Sequence, residues 1–169
     1  MRFRGVFSVL VLVGILAGSG LAPAETSPTE IGLAVADFTF LDTSGEATDQ
    51  AATHQRRLTD FMAALRRDLV SDRRFRLVLA AKGDESPEAL VAAAKAAGAS
   101  YLLVGGIHKL STLVGTAQVD AIDLGADRSI LTKLFTFRGD SDEAWRRAET
   151  FIARDVHDAL GAAEKGTTP

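Results

Sequence analysis

Apolar and polar positions change period repeatedly along the chain, and each change marks an element. From Ile31 to Phe40 apolar side chains occupy both alternations until Asp37, as in a strand buried on both faces. Leu41 to Ala52 is a loop rich in Asp, Thr, Ser and Gly. From about Thr53, Leu58, Phe61, Met62, Leu65 and Leu69 recur at i, i+3, i+4, i+7 and i+11. That is one stripe of a helix, with Arg56, Arg57, Arg66, Arg67 and Asp68 on its opposite face. Phe75 to Leu79 alternates more weakly, as an edge strand does.

Ser86-Pro87-Glu88 opens a second helix with a capping serine, a proline at N1 and an acid at the positive dipole end. Its narrow stripe of Leu90, Val91, Ala94 and Ala97 is closed by Gly98 at C′. Tyr101 to Val104 is a continuous apolar run followed by Gly105-Gly106, and reads as the central strand. Thr116 to Asp123 and Ser129 to Phe137 alternate as half-exposed antiparallel strands around the turn Leu124 to Arg128. Asp140-Ser-Asp-Glu143 reads as a capping box, with Asp140 as N-cap. The helix it opens carries Trp145, Ala148, Ile152, Val156 and Ala159 on one face. Gly161 to Pro169 reads as a disordered tail.

The order β-α-β-α-β-β-β-α predicts an α/β fold: one three-layer domain over residues 31–160. Right-handed crossovers favour a mixed five-stranded sheet of order 2-1-3-4-5 with helices on both faces. The central strand is where the parallel half meets the antiparallel half.

The N-terminal segment changes the picture. Arg2 and Arg4, the apolar run Val6 to Leu16 and Ala22-Pro-Ala24 form a signal-peptide pattern, with cleavage expected after Ala24. The run is shorter than the ~18 residues of a spanning helix. An exported, periplasmic protein with a short leader over residues 25–30 is therefore expected, with no membrane span after cleavage. Losing Arg2 and Arg4 from 19 basic residues against 22 acidic leaves a net charge of −5, which argues against nucleic acid and anionic lipid as partners. There is no cysteine, so disulfides, thiolate metal sites and a cysteine nucleophile are excluded.

Val35-Ala-Asp37-Phe38, Phe75-Arg-Leu-Val78, Ala97-Gly-Ala-Ser-Tyr-Leu-Leu-Val-Gly-Gly106 and Ile122-Asp123 together resemble the TolB N-terminal domain and the soluble domains of CsgG and FlgO. The resemblance spans roughly Ile31 to Leu160. Phe135-Thr-Phe-Arg-Gly-Asp-Ser-Asp-Glu-Ala-Trp-Arg-Arg147 is similar to a signature of small exported alphaproteobacterial proteins of unknown function. What this implies is a periplasmic domain that works by binding an envelope protein. The propeller, lipid-attachment cysteine and pore-forming strands of those families have no counterpart here, so their specific roles are not implied.

Few residues carry candidate chemistry. Asp42-Thr-Ser-Gly45 has the letters of an aspartic-protease turn, but that chemistry needs a second carboxylate copy, and Asp-Thr-Ser-Gly also builds ordinary turns. His54, His108 and His157 lack zinc-motif spacing and read as solvated or structurally bonded, so no metal or cofactor is expected. Gly105-Gly106 reads as a close approach or bulge, Trp145 as core, and Arg56-Arg57 and Arg146-Arg147 as solvated helix faces.

One constellation remains. A 2-1-3 strand order brings the carboxyl ends of the first and third strands beside a crevice, with Asp37, Asp42 and Thr43 on one side and His108 and Lys109 on the other. This is the expected partner or ligand site, its charges read as exposed. The leading function is a non-catalytic periplasmic protein-binding module, accessory to an envelope complex or exported enzyme. The alternative is a small-ligand sensor or hydrolase using that crevice.

Overall fold

A computed structural model describes residues 30–83 and 85–167. The expected signal peptide and most of the leader lie outside the described residues. Strands are β1 (Ile31–Ala36), β2 (Thr39–Asp42), β3 (Phe75–Ala81), β4 (Tyr101–Ser111), β5 (Val114–Asp123) and β6 (Arg128–Arg138). Helices are α1 (Ala51–Leu69), α2 (Pro87–Ala96) and α3 (Asp142–Thr167). The sheet runs β3-β1-β4-β5-β6, with β2 also paired to β4. Pairs among β1, β2, β3 and β4 are parallel; β4/β5 and β5/β6 are antiparallel. The predicted path and α/β class hold, with one added strand because the first one is broken.

The break at Asp37-Phe38 positions everything downstream. Val35 pairs with Leu103 and Thr39 with Gly106, so four steps on one strand match three on its neighbour. That is a one-residue bulge, and with a side-chain period of two it exchanges the faces. Leu33 and Val35 point to the main core before it; Phe38 and Phe40 do so after it. Phe38 fills the step by lying over Gly105, where a Cβ would come within 2.7 Å of its ring and 2.6 Å of the Gln118 carbonyl oxygen. The predicted close approach is thus made by a side chain and a neighbouring strand.

The larger core lies between the sheet and the layer of α1 and α3. Leu33, Val35, Leu65, Leu103, Val119, Ile152 and Leu160 are all buried there. Trp145 is in this core, in contact with the rings of Phe40, Phe61 and Phe137. A smaller core of Ala34, Ala36, Ala81, Leu90, Ala94 and Leu102 lies under α2 on the other face. Small alanines on both sides let α2 approach closely, and Gly98 stops it at φ +77°, a left-handed conformation that glycine adopts without a Cβ clash.

Two helix-end expectations are corrected. Asp140 is not the cap of α3: Ser141 Oγ accepts from the Ala144 amide at 3.2 Å, freeing Asp140 to turn inward. Glu143 instead pairs with Arg147 on the exposed face. And α3 continues through Gly161 to Thr167, where a disordered tail was expected. Tertiary contact overrides glycine's poor helix propensity here: Gly161 lies under Arg74, Ala163 is buried, and Glu164 faces the Arg74 guanidinium at 3.7 Å.

Candidate functional site

Charged side chains gather where β2, β4, α1 and the entrance to α3 meet. Lys109 is only 4% exposed and its Nζ lies 2.9 Å from Glu46 Oε2, 3.1 Å from Asp140 Oδ2 and 3.8 Å from Asp42 Oδ2. Gln50 Oε1 accepts from it at 3.3 Å. His54, 1% exposed, sets Nε2 3.0 Å from Asp140 Oδ2 and Nδ1 3.8 Å from Asp42 Oδ2. Arg57 donates to Asp140 at 2.6 Å and to Asp142 at 2.8 Å. Asp140 is the hub, also facing Trp145 Nε1 at 3.4 Å.

The electrostatics favour the charged forms of Lys109, Asp140, Glu46 and Asp42. Burial pulls the Lys109 ammonium down, but its bonds to Glu46 and Asp140 outweigh that and hold it above the ordinary lysine value. Burial pushes Asp140 up, and the bonds from His54 and Lys109 override it, leaving the carboxyl below the usual range. Glu46 is lowered by its bond from Lys109, and Asp42 by the Ser44 bonds within its own turn. A lysine held charged is no nucleophile, and carboxylates held ionised are no general acids. The space beside Lys109, Asp140 and Trp145 is about 10 Å³, room for one water and no substrate. The cluster works as a clasp, fastening the loop after β2 and the start of α3 to β4.

The five sequence-predicted residues separate into three places. Asp42 and Lys109 meet in the clasp. Thr43 Oγ1 and His108 Nε2 meet at 2.7 Å on the opposite face, because successive residues of a strand point to opposite sides. Asp37 pairs with Arg66 at 2.7 Å, apart from both. No crevice separates Asp42 from Lys109, since β2 continues pairing along β4 and Phe38 fills the step; Asp37 instead lines a groove of about 740 Å³ with Phe40, Met62 and Arg66. Lys109 is therefore a buried ion, not an exposed one, and Arg57, with only 12% of its side chain exposed, is not a solvated helix face. Sequence reasoning missed His54, Arg57, Glu46 and Asp140 as one unit. His54 had a signal: it lies four residues before Leu58, in line with the apolar stripe of α1. Asp140 had none, because Asp-Ser-Asp-Glu satisfies the capping pattern in a shifted register.

The second feature is a face without cover. Among the described residues, α2 packs on β3 and β4 and its core reaches β5 at Ile122, leaving the rest of that face of β2, β5 and β6 without a helix. Across it runs the row Leu41, His108, Thr116 and Thr136, and beside it Thr39, Gly106, Gln118 and Leu134. Leu41 is 55% exposed and Leu134 is 59%, with Leu110 and Leu113 exposed where β4 turns into β5. Helices therefore cover both faces chiefly over the parallel half.

Among the described residues, no group of three or more His, Asp or Glu side chains is placed to hold a metal ion. Nor is any helix among them long and apolar enough to cross a membrane.

The fold is that of a small mixed-sheet α/β domain, similar to PelC. The chain belongs to the family DUF3280, described as "Protein of unknown function (DUF2380)", whose model matches residues 32–156. PelC from Paraburkholderia phytofirmans, solved as a dodecamer, is similar with a TM-score of 0.51 at 14% identity, over 77% of this chain and 87% of that one. TolB from Acinetobacter baumannii is similar at 15% identity and a TM-score of 0.47, over 78% of this chain. This chain spans only 28% of the TolB chain. The LpoB C-terminal domain from Escherichia coli matches at 14% identity and a TM-score of 0.41, over 67% of this chain and 86% of that domain. At such identities the likeness is one of fold. No curated protein matches the chain.

Proposed function

We propose that this protein is an exported, non-catalytic module that binds a periplasmic or envelope protein through the uncovered face of β2, β4, β5 and β6. The observation that carries the reading is the pair Leu41 and Leu134, more than half exposed on a part of the sheet that no helix covers among the described residues. Two exposed leucines flank a strip of histidine, threonine and glutamine, so the open face offers apolar anchors at its two sides and hydrogen-bonding groups between them. The clasp supports the non-catalytic part, because its groups are committed to one another and closed to substrate. An acidic chain leaves nucleic acid out as the partner. Export rests on the Arg2-to-Ala24 pattern.

Site-specific photo-cross-linkers at positions 41 and 134 test this in the native compartment. The expected result is one discrete adduct from both positions and none from position 63 on the helical layer, with Leu134→Glu abolishing the adduct from position 41. Adducts of equal yield from all three positions, or none from the sheet face, would refute the reading.

A further inference from the structure

Four polar or charged side chains are buried among the described residues: His54, Lys109, Asp123 and Glu149. The first two belong to the clasp, and Asp123 accepts from the amides of Gly125 and Ala126 at 3.0 Å. Glu149 is different. It is 3% exposed, its Oε1 has no hydrogen-bond partner, and Oε2 meets only the Thr150 hydroxyl at 3.4 Å. An unpartnered buried acceptor is costly, and such a group in a native fold needs an explanation.

Glu149 lines a groove between α1 and α3 of about 490 Å³, within the size range of small-molecule sites. The groove exists because α1 presents Ala63 and Ala64 where longer side chains would fill it, with Phe61 and Trp145 also on its wall. Four arginines line it. Arg56 and Arg57 are spent on Asp142 and Asp140. Among the described residues, Arg67 engages only the adjacent Asp68, through Nε, and Arg146 makes no ion pair. Against these stand Asp60, Asp142 and Glu149, so the lining carries four basic groups to three acidic ones in a chain whose overall balance is acidic.

We propose that the α1–α3 groove binds a small organic anion, a carboxylate or phosphate ester, held by Arg67 and Arg146, with its apolar part on Phe61 and Trp145 and its oxyanion bonded to the Glu149 carboxyl. Arginine termini match oxyanions in planar, two-point fashion. Burial, and after it the charge of Asp68, push Glu149 up to about 7, with Thr150 and Arg67 opposing. In the protonated form the carboxyl donates to an anion; in the ionised form it repels one. The site is separate from the sheet face above, and either assignment stands without the other.

The single tryptophan, Trp145, is the reporter. The purified chain is titrated with phenyl phosphate, benzoate, inorganic phosphate and neutral benzamide, following Trp145 fluorescence. The expected result is saturable binding of phenyl phosphate or benzoate at about pH 6, with a Kd on the order of 1 mM or tighter, and none of benzamide. Whichever anion binds more tightly identifies the headgroup. The affinity for benzoate, which stays ionised throughout, falls about tenfold by about pH 8, because only about one Glu149 in ten then keeps its proton. Arg146→Glu lowers affinity more than tenfold, Ala64→Leu blocks the groove without changing charge, and Glu149→Gln keeps binding but removes the pH dependence. Benzamide binding as tightly as benzoate, no saturable anion binding near pH 6, affinity unchanged in Arg146→Glu, or the pH dependence of benzoate binding persisting in Glu149→Gln would each overturn the proposal.

Discussion

Asp140 Oδ2 stands 3.1 Å from Lys109 Nζ, tying the entrance of α3 to the middle layer of the sheet through an ion pair that solvent barely reaches. Each partner takes a second bond elsewhere, Lys109 to Glu46 and Asp140 to Arg57, so the pair anchors a network.

Removing one member of a buried, hydrogen-bonded charge network leaves its partners uncompensated. Lys109→Ala should therefore destabilise by about 3–5 kcal/mol in urea unfolding, against ~0–1 kcal/mol for a surface pair. A double-mutant cycle with Asp140→Asn should show coupling above ~1 kcal/mol. A loss under ~1 kcal/mol in the single variant would mean the clasp is solvated in solution.

Stability should peak in mildly acidic solution, for two opposed reasons. Asp140 and Glu46 have folded pKa values below their ordinary ones, so their contribution is present above the unfolded values and is lost as pH falls through the folded ones, below about 4. Glu149, raised from 4.5 to about 7, keeps its proton in the fold but not in the unfolded chain. Stability then declines by about 3 kcal/mol as pH rises from about 4.5 to 7. Lys109, raised, holds its contribution until pH climbs past the ordinary lysine value. Glu149→Gln should remove the decline between pH 5 and 7 in a series of urea midpoints, and a decline of unchanged size in that variant would assign it to another group.

Trp145→Ala should cost about 3–5 kcal/mol, since it empties a site between Phe40, Phe61 and Phe137. Trp145→Phe should cost less, retaining most of the packing while losing the indole N–H that faces Asp140. Equal urea midpoints for the two variants would show that packing is not the main contribution.

Gly105→Ala should destabilise by about 1–3 kcal/mol by overpacking. The new methyl meets the Phe38 ring and, at 2.6 Å, the Gln118 carbonyl oxygen, which is backbone and cannot swing aside. A Phe38→Leu background should recover only the part due to the ring, and thermal unfolding of the single and double variants measures that share.

Leu134→Glu should leave the unfolding midpoint within ~0.5 kcal/mol of the parent, because the side chain is 59% exposed and supports no core. A large loss of stability would show that Leu134 has a structural role and would weaken its use as an interface probe.

Much of this architecture follows from local pattern. The apolar stripe of α1, the Ser86-Pro87 start and Gly98 stop of α2, the doubly buried run of β4 and the right-handed crossovers lead to the sheet path, because periodicity and caps act within a few residues. Trp145 could be placed in the core for the same reason. What the tertiary structure alone decided is which face each charge occupies. One extra residue between Val35 and Thr39 puts Asp42 on the same face as Lys109, and sequence alternation cannot register it because apolar residues fill both alternations there. Asp140 reads equally well as a cap or as an inward carboxylate; the choice depends on Lys109, His54 and Arg57, which come from other elements. The end of α3 is helical because Arg74 lies against it, and the open sheet face exists because α2 is too far from β6 and most of β5 to cover them. In each case the deciding energy is a contact between segments remote in sequence.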